Sequence, residues 1–145
     1  MRRGVRDECL PQAEVGLTDA YLIRYLSGME RTVEFYRTEG GACPVEKFLR
    51  KQTSIEEKKI LGAMRLVEQE RTLSKTLFKK LVNTDGLWEI RAKTRGNIFR
   101  LLCFFDGTQL IVVAHAFQKK TQKTPRPAIQ TAETRKRDYF RRKNQ

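Results

Sequence analysis

Three strand-like runs, residues 87–93 (LWEIRAK), 97–105 (NIFRLLCFF) and 109–117 (QLIVVAHAF), follow one another with gaps of only a few residues. A parallel pair needs a crossover of about a dozen residues or more, so these strands must form antiparallel neighbours. Asp106-Gly107 supplies the turn chemistry of a tight hairpin between the last two, and the 94–97 stretch that of another. The runs are also unusual in content. Arg91, Lys93 and Arg100 lie inside them, and the basic tract QKKTQKTP (residues 118–125) leaves the last one. A sheet with fixed positive charge on one face suits a polyanion.

Upstream, RTVEFYR (residues 31–37) alternates, with Val33 and Phe35 on one side and Glu34 and Tyr36 on the other, which predicts a strand. After the Glu39-Gly40-Gly41 break, Pro44 suits the first turn of a helix, and Val45, Phe48 and Leu49 give that helix an apolar face. A second helix is expected from Ser54, with Glu57 completing a capping box, its apolar side marked by Ile60, Leu61, Met64 and Val67. The short connection predicts an αα-hairpin packed on the sheet. Residues 73–86 (LSKTLFKKLVNTDG) read as a connector. A last helix is expected from Pro127 to about Arg142, packing through Ile129, Ala132, Tyr139 and Phe140. The expected class is α+β: a helical hairpin on a small twisted, mostly antiparallel sheet, with a C-terminal helix. Residues 29–145 read as one domain, and residues 1–28 as a poorly ordered extension or upstream start, with one or two helical turns at residues 20–26.

The net charge of +13 is uneven. Residues 1–74 hold 13 Lys and Arg against 12 Asp and Glu, whereas residues 75–145 hold 17 against 5. Charge confined to half of a chain points to a binding footprint rather than a solubility device. Cys9, Cys43 and Cys103 are widely spaced, without a CxxC or a Cys/His cluster, which supports neither a zinc site nor a disulfide framework and fits a reducing cytoplasm. No run approaches the ~20 apolar residues of a membrane span, so no membrane association is expected. The chain has no P-loop, nucleophile elbow or Gly-rich phosphate cradle, which sets aside most NTPase and hydrolase classes. No cofactor or metal site is expected.

Alternation in LWEIRAK divides a Trp88/Ile90/Ala92 core set from a Glu89/Arg91/Lys93 set facing solvent or a ligand. Arg100, between Phe99 and Leu101, needs either an ion-pair partner such as Glu89 or an anion to hold. His115, the only histidine, has no second histidine for acid–base pairing and reads as a hydrogen-bonded structural residue.

At HAFQKKTQKTP the chain resembles a known family, the RelE/HigB-type toxins of type II toxin–antitoxin systems, and among them the phage-derived HigB-like branch. That branch shows LxEIR or LWELR, then xxYRxLY or xxFRxLY, then an apolar strand ending HGFxKKTxKTP. The matching pieces here are Leu87-Trp88-Glu89-Ile90-Arg91, Phe99-Arg100-Leu101-Leu102 and residues 115–125, with Ala116 in place of the usual glycine. The resemblance implies a metal-independent mRNA endoribonuclease working at the ribosome, in which the RNA 2′-OH attacks the neighbouring phosphate. It implies that Arg91 and Arg100 hold the scissile phosphate, that Lys119 assists or protonates the departing 5′-oxygen, and that Glu89 accepts the 2′-OH proton. It further implies that Phe117 stacks on a base and that Lys80, Lys93, Arg95, Lys120 and Lys123 follow the RNA backbone. The implied partners are mRNA, the ribosome and a small helix-turn-helix antitoxin. A non-catalytic nucleic-acid-binding module on the same scaffold is the alternative, and an effector whose partner covers the basic face is a third.

Overall fold

The computed structural model describes residues 31–120 and 123–145. The expectations for residues 1–28 lie outside that range. The chain runs β1 (Thr32–Phe35), α1 (Pro44–Arg50), α2 (Ser54–Gln69), β2 (Phe78–Lys80), β3 (Trp88–Lys93), β4 (Ile98–Asp106), β5 (Leu110–Lys119) and α3 (Arg126–Lys143). The five strands form one sheet in the order β1-β5-β4-β3-β2. Three pairings are antiparallel, and β1 lies parallel to β5. This is the α+β architecture that the spacing of the strands requires.

The helical hairpin covers one face of the sheet. Val45 and Leu49 of α1, with Ile60, Met64 and Val67 of α2, pack on Ile90, Phe99, Leu101, Cys103, Ile111 and Val113. Helix α2 starts at Ser54 as expected, but its capping box is one residue earlier: Thr53 accepts from the Glu56 N–H, and Glu56 accepts from the Thr53 N–H. Both Thr53/Glu56 and Ser54/Glu57 satisfy the sequence rule. The extended backbone of Thr53 (φ −69°, ψ 163°) makes it the cap. Arg31 closes the other end of α2, donating to the carbonyls of Val67 and Glu70 at 3.0 Å each.

The opposite face is covered over only part of its length. Helix α3 lays Ala128 and Ala132, with Ile129, Tyr139 and Phe140 beside them, on Tyr36, Leu87, Leu102, Phe104, Val112 and Ala114. Among the described residues no helix lies over the β3–β4–β5 end beyond Leu102.

Two features depart from the sequence reading. The supposed connector contains β2, which pairs with β3 at the sheet edge. Strand β5 also has a bulge. Leu102 faces His115 but Cys103 faces Val113, so Ala114 is an extra residue. The bulge inverts side-chain parity, placing His115, Phe117 and Lys119 on the α3 face, where unbroken alternation with Ile111 and Val113 would have put them under the helical hairpin.

Candidate functional site

On the uncovered part of that face, directly opposed residues on β3, β4 and β5 gather the sequence-predicted groups. Arg91 faces Arg100, Arg100 also faces Phe117, and Lys119 faces Ile98. Two arginines directly opposite one another repel, and a paired strand tolerates them only with a counter-charge. Glu89 supplies it. Its Oε1 is 3.3 Å from Arg91 Nε, and its Oε2 is 3.0 Å from Arg100 Nε. The second contact is ionic. The Arg100 Nε–H is not directed along it and has no hydrogen-bond partner, while Nη1 donates to the Phe99 carbonyl at 3.3 Å.

Glu89 is 1 % exposed and Arg100 9 %. Thr124, at the end of the basic loop, donates its hydroxyl to Glu89 Oε2 at 3.1 Å. Both carboxylate oxygens are therefore engaged inside the protein, and the carboxylate aligns two guanidinium groups and a loop. Burial, with help from Arg91 and against the attraction of Glu89, holds the Arg100 pKa below the usual arginine range. Burial does the same to Lys119, assisted by the charges of Arg100, Arg91 and Lys79 and opposed by Glu89. One carboxylate among four cations leaves the site strongly positive, with part of that charge removed from solvent.

The structure brings Glu89, Arg91, Arg100, Phe117 and Lys119 together. Lys93 ends β3 on the same face, and Arg95 lies exposed in the turn that follows. Lys120 and Lys123 lie exposed in the loop after β5, whose residues 121–122 are outside the described range. Lys80 is not part of the group. It pairs with Trp88 and so points to the helical-hairpin face, whereas Lys79, opposite Glu89, belongs with the arginines. Lys79 and Thr124 are the residues that sequence reasoning missed. A three-residue strand is too short to show a period, and a threonine in a basic loop shows nothing of its partner.

His115 lies between this site and α3. Its ring stacks on Phe117 (centroids 5.6 Å apart, 23°), and its Nδ1 is 3.5 Å from Arg135 Nη1. Burial first, then Arg135, lowers its pKa below the ordinary imidazole value. Tyr139 is a packing residue. It stands 5.4 Å from Phe104 between ring centroids and donates to Asp106 Oδ2 at 2.7 Å. Cys103 is fully buried in the core, which pushes its thiol pKa up. Among the described residues no group of three or more His, Cys, Asp or Glu could hold a metal ion, and no helix is long and apolar enough to cross a membrane.

No curated protein matches the chain. Residues 47–137 match the family described as "Phage derived protein Gp49-like (DUF891)", a match that runs from within α1 through the first two thirds of α3 and takes in every residue of the arginine site. The chain therefore belongs to the phage-derived Gp49-like family, a family associated with the RelE-like toxins of toxin–antitoxin systems.

Proposed function

We propose that this protein is the toxin of a type II toxin–antitoxin system, of the HigB-like branch, and acts as an mRNA endoribonuclease at the ribosome. The observation that supports this reading is the opposed Arg91/Arg100 pair, held by a buried carboxylate at an open sheet face beside Lys119. Arginine forks meet phosphate oxygens bidentately, and fixed cations stabilise the charge that grows on phosphorus as the 2′-oxygen attacks. The 2′-OH gives up its proton to solvent water as its oxygen bonds to phosphorus and the P–O5′ bond breaks, giving a 2′,3′-cyclic phosphate and a 5′-OH end. Lys119, whose proton is held less tightly than an ordinary lysine's, delivers it to the departing 5′-oxygen.

Glu89 takes a different part from the proton acceptor that the resemblance implies. With both oxygens engaged and almost no exposure, it positions the two arginines. Phe117, opposite Arg100, stacks on a base next to the scissile phosphate. Lys79, Lys93, Arg95, Lys120 and Lys123 attract the flanking backbone and the ribosomal RNA. The reaction needs no metal, because the cations of the chain supply the positive charge. The protein works in the cytoplasm and is held inactive by a helix-turn-helix antitoxin.

Primer extension on RNA from induced cells tests the reading. Discrete stops at new 5′-OH ends are expected, with 2′,3′-cyclic phosphates on the 3′ ends of the upstream fragments. Arg100→Ala and Lys119→Ala should relieve growth arrest while keeping the wild-type far-UV circular dichroism. Full toxicity in both variants would sink the site, and salt-sensitive RNA binding without cyclic-phosphate ends would leave only a binding module.

A further inference from the structure

A second surface lies on the opposite face of the sheet, at its β2 edge. Phe78 and Trp88 stack there with ring centroids 4.8 Å apart, and Phe105 meets both edge-on at 6.1 and 5.6 Å. They floor a groove of about 570 Å³ that none of α1, α2 and α3 covers. Leu73 and Val82 form its apolar lips, and Val82 is 81 % exposed. Lys75, Lys79 and Lys80 stand around it, exposed and without a carboxylate partner among the described residues. Arg31, the remaining cation of the lining, is already committed to the carbonyls at the end of α2.

An apolar floor inside a ring of unpaired lysines fits a ligand with apolar anchors and flanking carboxylates. Nucleic acid fits less well. Phe78 is buried, Trp88 and Phe105 are only partly exposed, and the lips Leu73 and Val82 are aliphatic, so the lining matches apolar side chains better than a row of stacked bases. Lysines on an edge strand also deter backbone pairing, so a partner approaches through side chains.

We propose that this groove is the docking site for an acidic amphipathic segment of the antitoxin, with apolar residues seated on Trp88 and Val82 and carboxylates paired with Lys75, Lys79 and Lys80. The identity of the partner rests on the toxin reading above; the chemistry of the segment rests on the groove. Lys79 borders both surfaces, because it lines the groove and stands opposite Glu89. Carboxylates docked on it cancel part of the positive field at the arginine site, so the antitoxin can weaken RNA binding without covering Arg91 or Arg100.

Trp88 is the only tryptophan in the chain, so labelling the full-length protein with 5-fluorotryptophan gives a single ¹⁹F resonance at the groove floor. Adding the purified product of an adjacent helix-turn-helix reading frame, as the antitoxin, should shift that resonance. The Lys80→Glu/Val82→Glu variant, altered only at exposed positions, should bind the antitoxin roughly tenfold or more weakly, as expected where an apolar contact and a charge pair are lost together. Unchanged affinity in that variant, with affinity lost in Arg95→Glu/Lys120→Glu, would place the antitoxin on the arginine face and overturn the inference while leaving the toxin reading intact. Absence of any complex would remove both the docking site and the partner. Two further outcomes would also overturn it: a shift on adding single-stranded RNA alone, which makes the groove a nucleic-acid surface, or a shift in the free chain on Leu22→Asp/Leu26→Asp, which makes residues of the same chain its cover.

Discussion

At the scale of single residues, the site turns on Glu89. A carboxylate taken out of water is costly unless it is paired, and two guanidinium groups placed face to face are costly unless a negative charge lies between them. Each cost is met by the other group. Glu89→Gln leaves both arginines without their counter-charge and should lower stability by about 2–4 kcal/mol, toward the low end of losses on breaking buried ion pairs because Arg91 is partly exposed. The midpoint of urea unfolding measures it. A midpoint equal to wild type would mean that solvent already screens the pair. Arg100→Lys keeps the charge but loses the planar fork, so single-turnover RNA cleavage should slow by roughly 10²-fold while RNA affinity changes little. An equal fall in affinity would assign Arg100 to ground-state binding. The need of Arg100 for a partner was legible in the sequence, because arginine in an apolar strand demands an ion pair or an anion. Glu89 was legible as one candidate partner, but its burial between both arginines was not, since the alternation that placed it beside Arg91 left its exposure open.

Helix α3 shows what holds an element when little apolar area does. Its buried residues are two alanines, and polar contacts do much of the fastening. Asp138 Oδ2 accepts from the Tyr36 hydroxyl at 2.6 Å and from Arg142 Nε at 3.0 Å, while Asp106 accepts from Tyr139 at 2.7 Å and from Lys143 at 2.7 and 2.8 Å. Hydrogen bonds from Arg142 and then Tyr36 hold the Asp138 carboxyl down at about 2, and Lys143 and Tyr139 lower that of Asp106. A carboxyl depressed in the folded state stabilises it fully above the unfolded value of about 3.9 and loses that contribution as pH falls through the folded value. The near-UV tyrosine signal should therefore fade reversibly between about pH 4 and pH 2, ahead of the far-UV signal. In Asp106→Asn/Asp138→Asn the fading should be absent or much reduced, and an unchanged transition would assign it to other carboxylates. The helix itself was legible from the spacing of Ile129, Ala132, Tyr139 and Phe140. Strand β2 was not, because Phe78–Lys80 completes one alternation only, and pairing with β3 rather than local pattern makes it a strand.

Over the described residues, the sheet separates an arginine face from an aromatic groove, and the basic half of the chain supplies the arginines and the groove's lysines and aromatic floor. Single-strand binding driven by charge loses affinity with salt in proportion to the phosphates neutralised, with a slope of about −0.7 each. Lys119→Ala should make the logarithmic salt slope of RNA binding shallower by about 0.7, measured by fluorescence anisotropy, whereas Lys58→Ala on α2 should leave it unchanged. Equal slopes in all three proteins would mean that Lys119 neutralises no phosphate.

Taken alone, the sequence determined the helices, the antiparallel order of β3, β4 and β5, and the presence of two strand-borne arginines. Periodicity, short gaps and the cost of an unpaired buried charge are local properties, readable along the chain. Tertiary structure alone decided which face each late residue of β5 takes. One extra residue at Ala114 inverts parity and delivers Phe117 and Lys119 to the arginines, and the pairing of β2 delivers Lys79 there in place of Lys80. A strand's side-chain face is set by its register against its neighbour, and that register is a property of the assembled sheet.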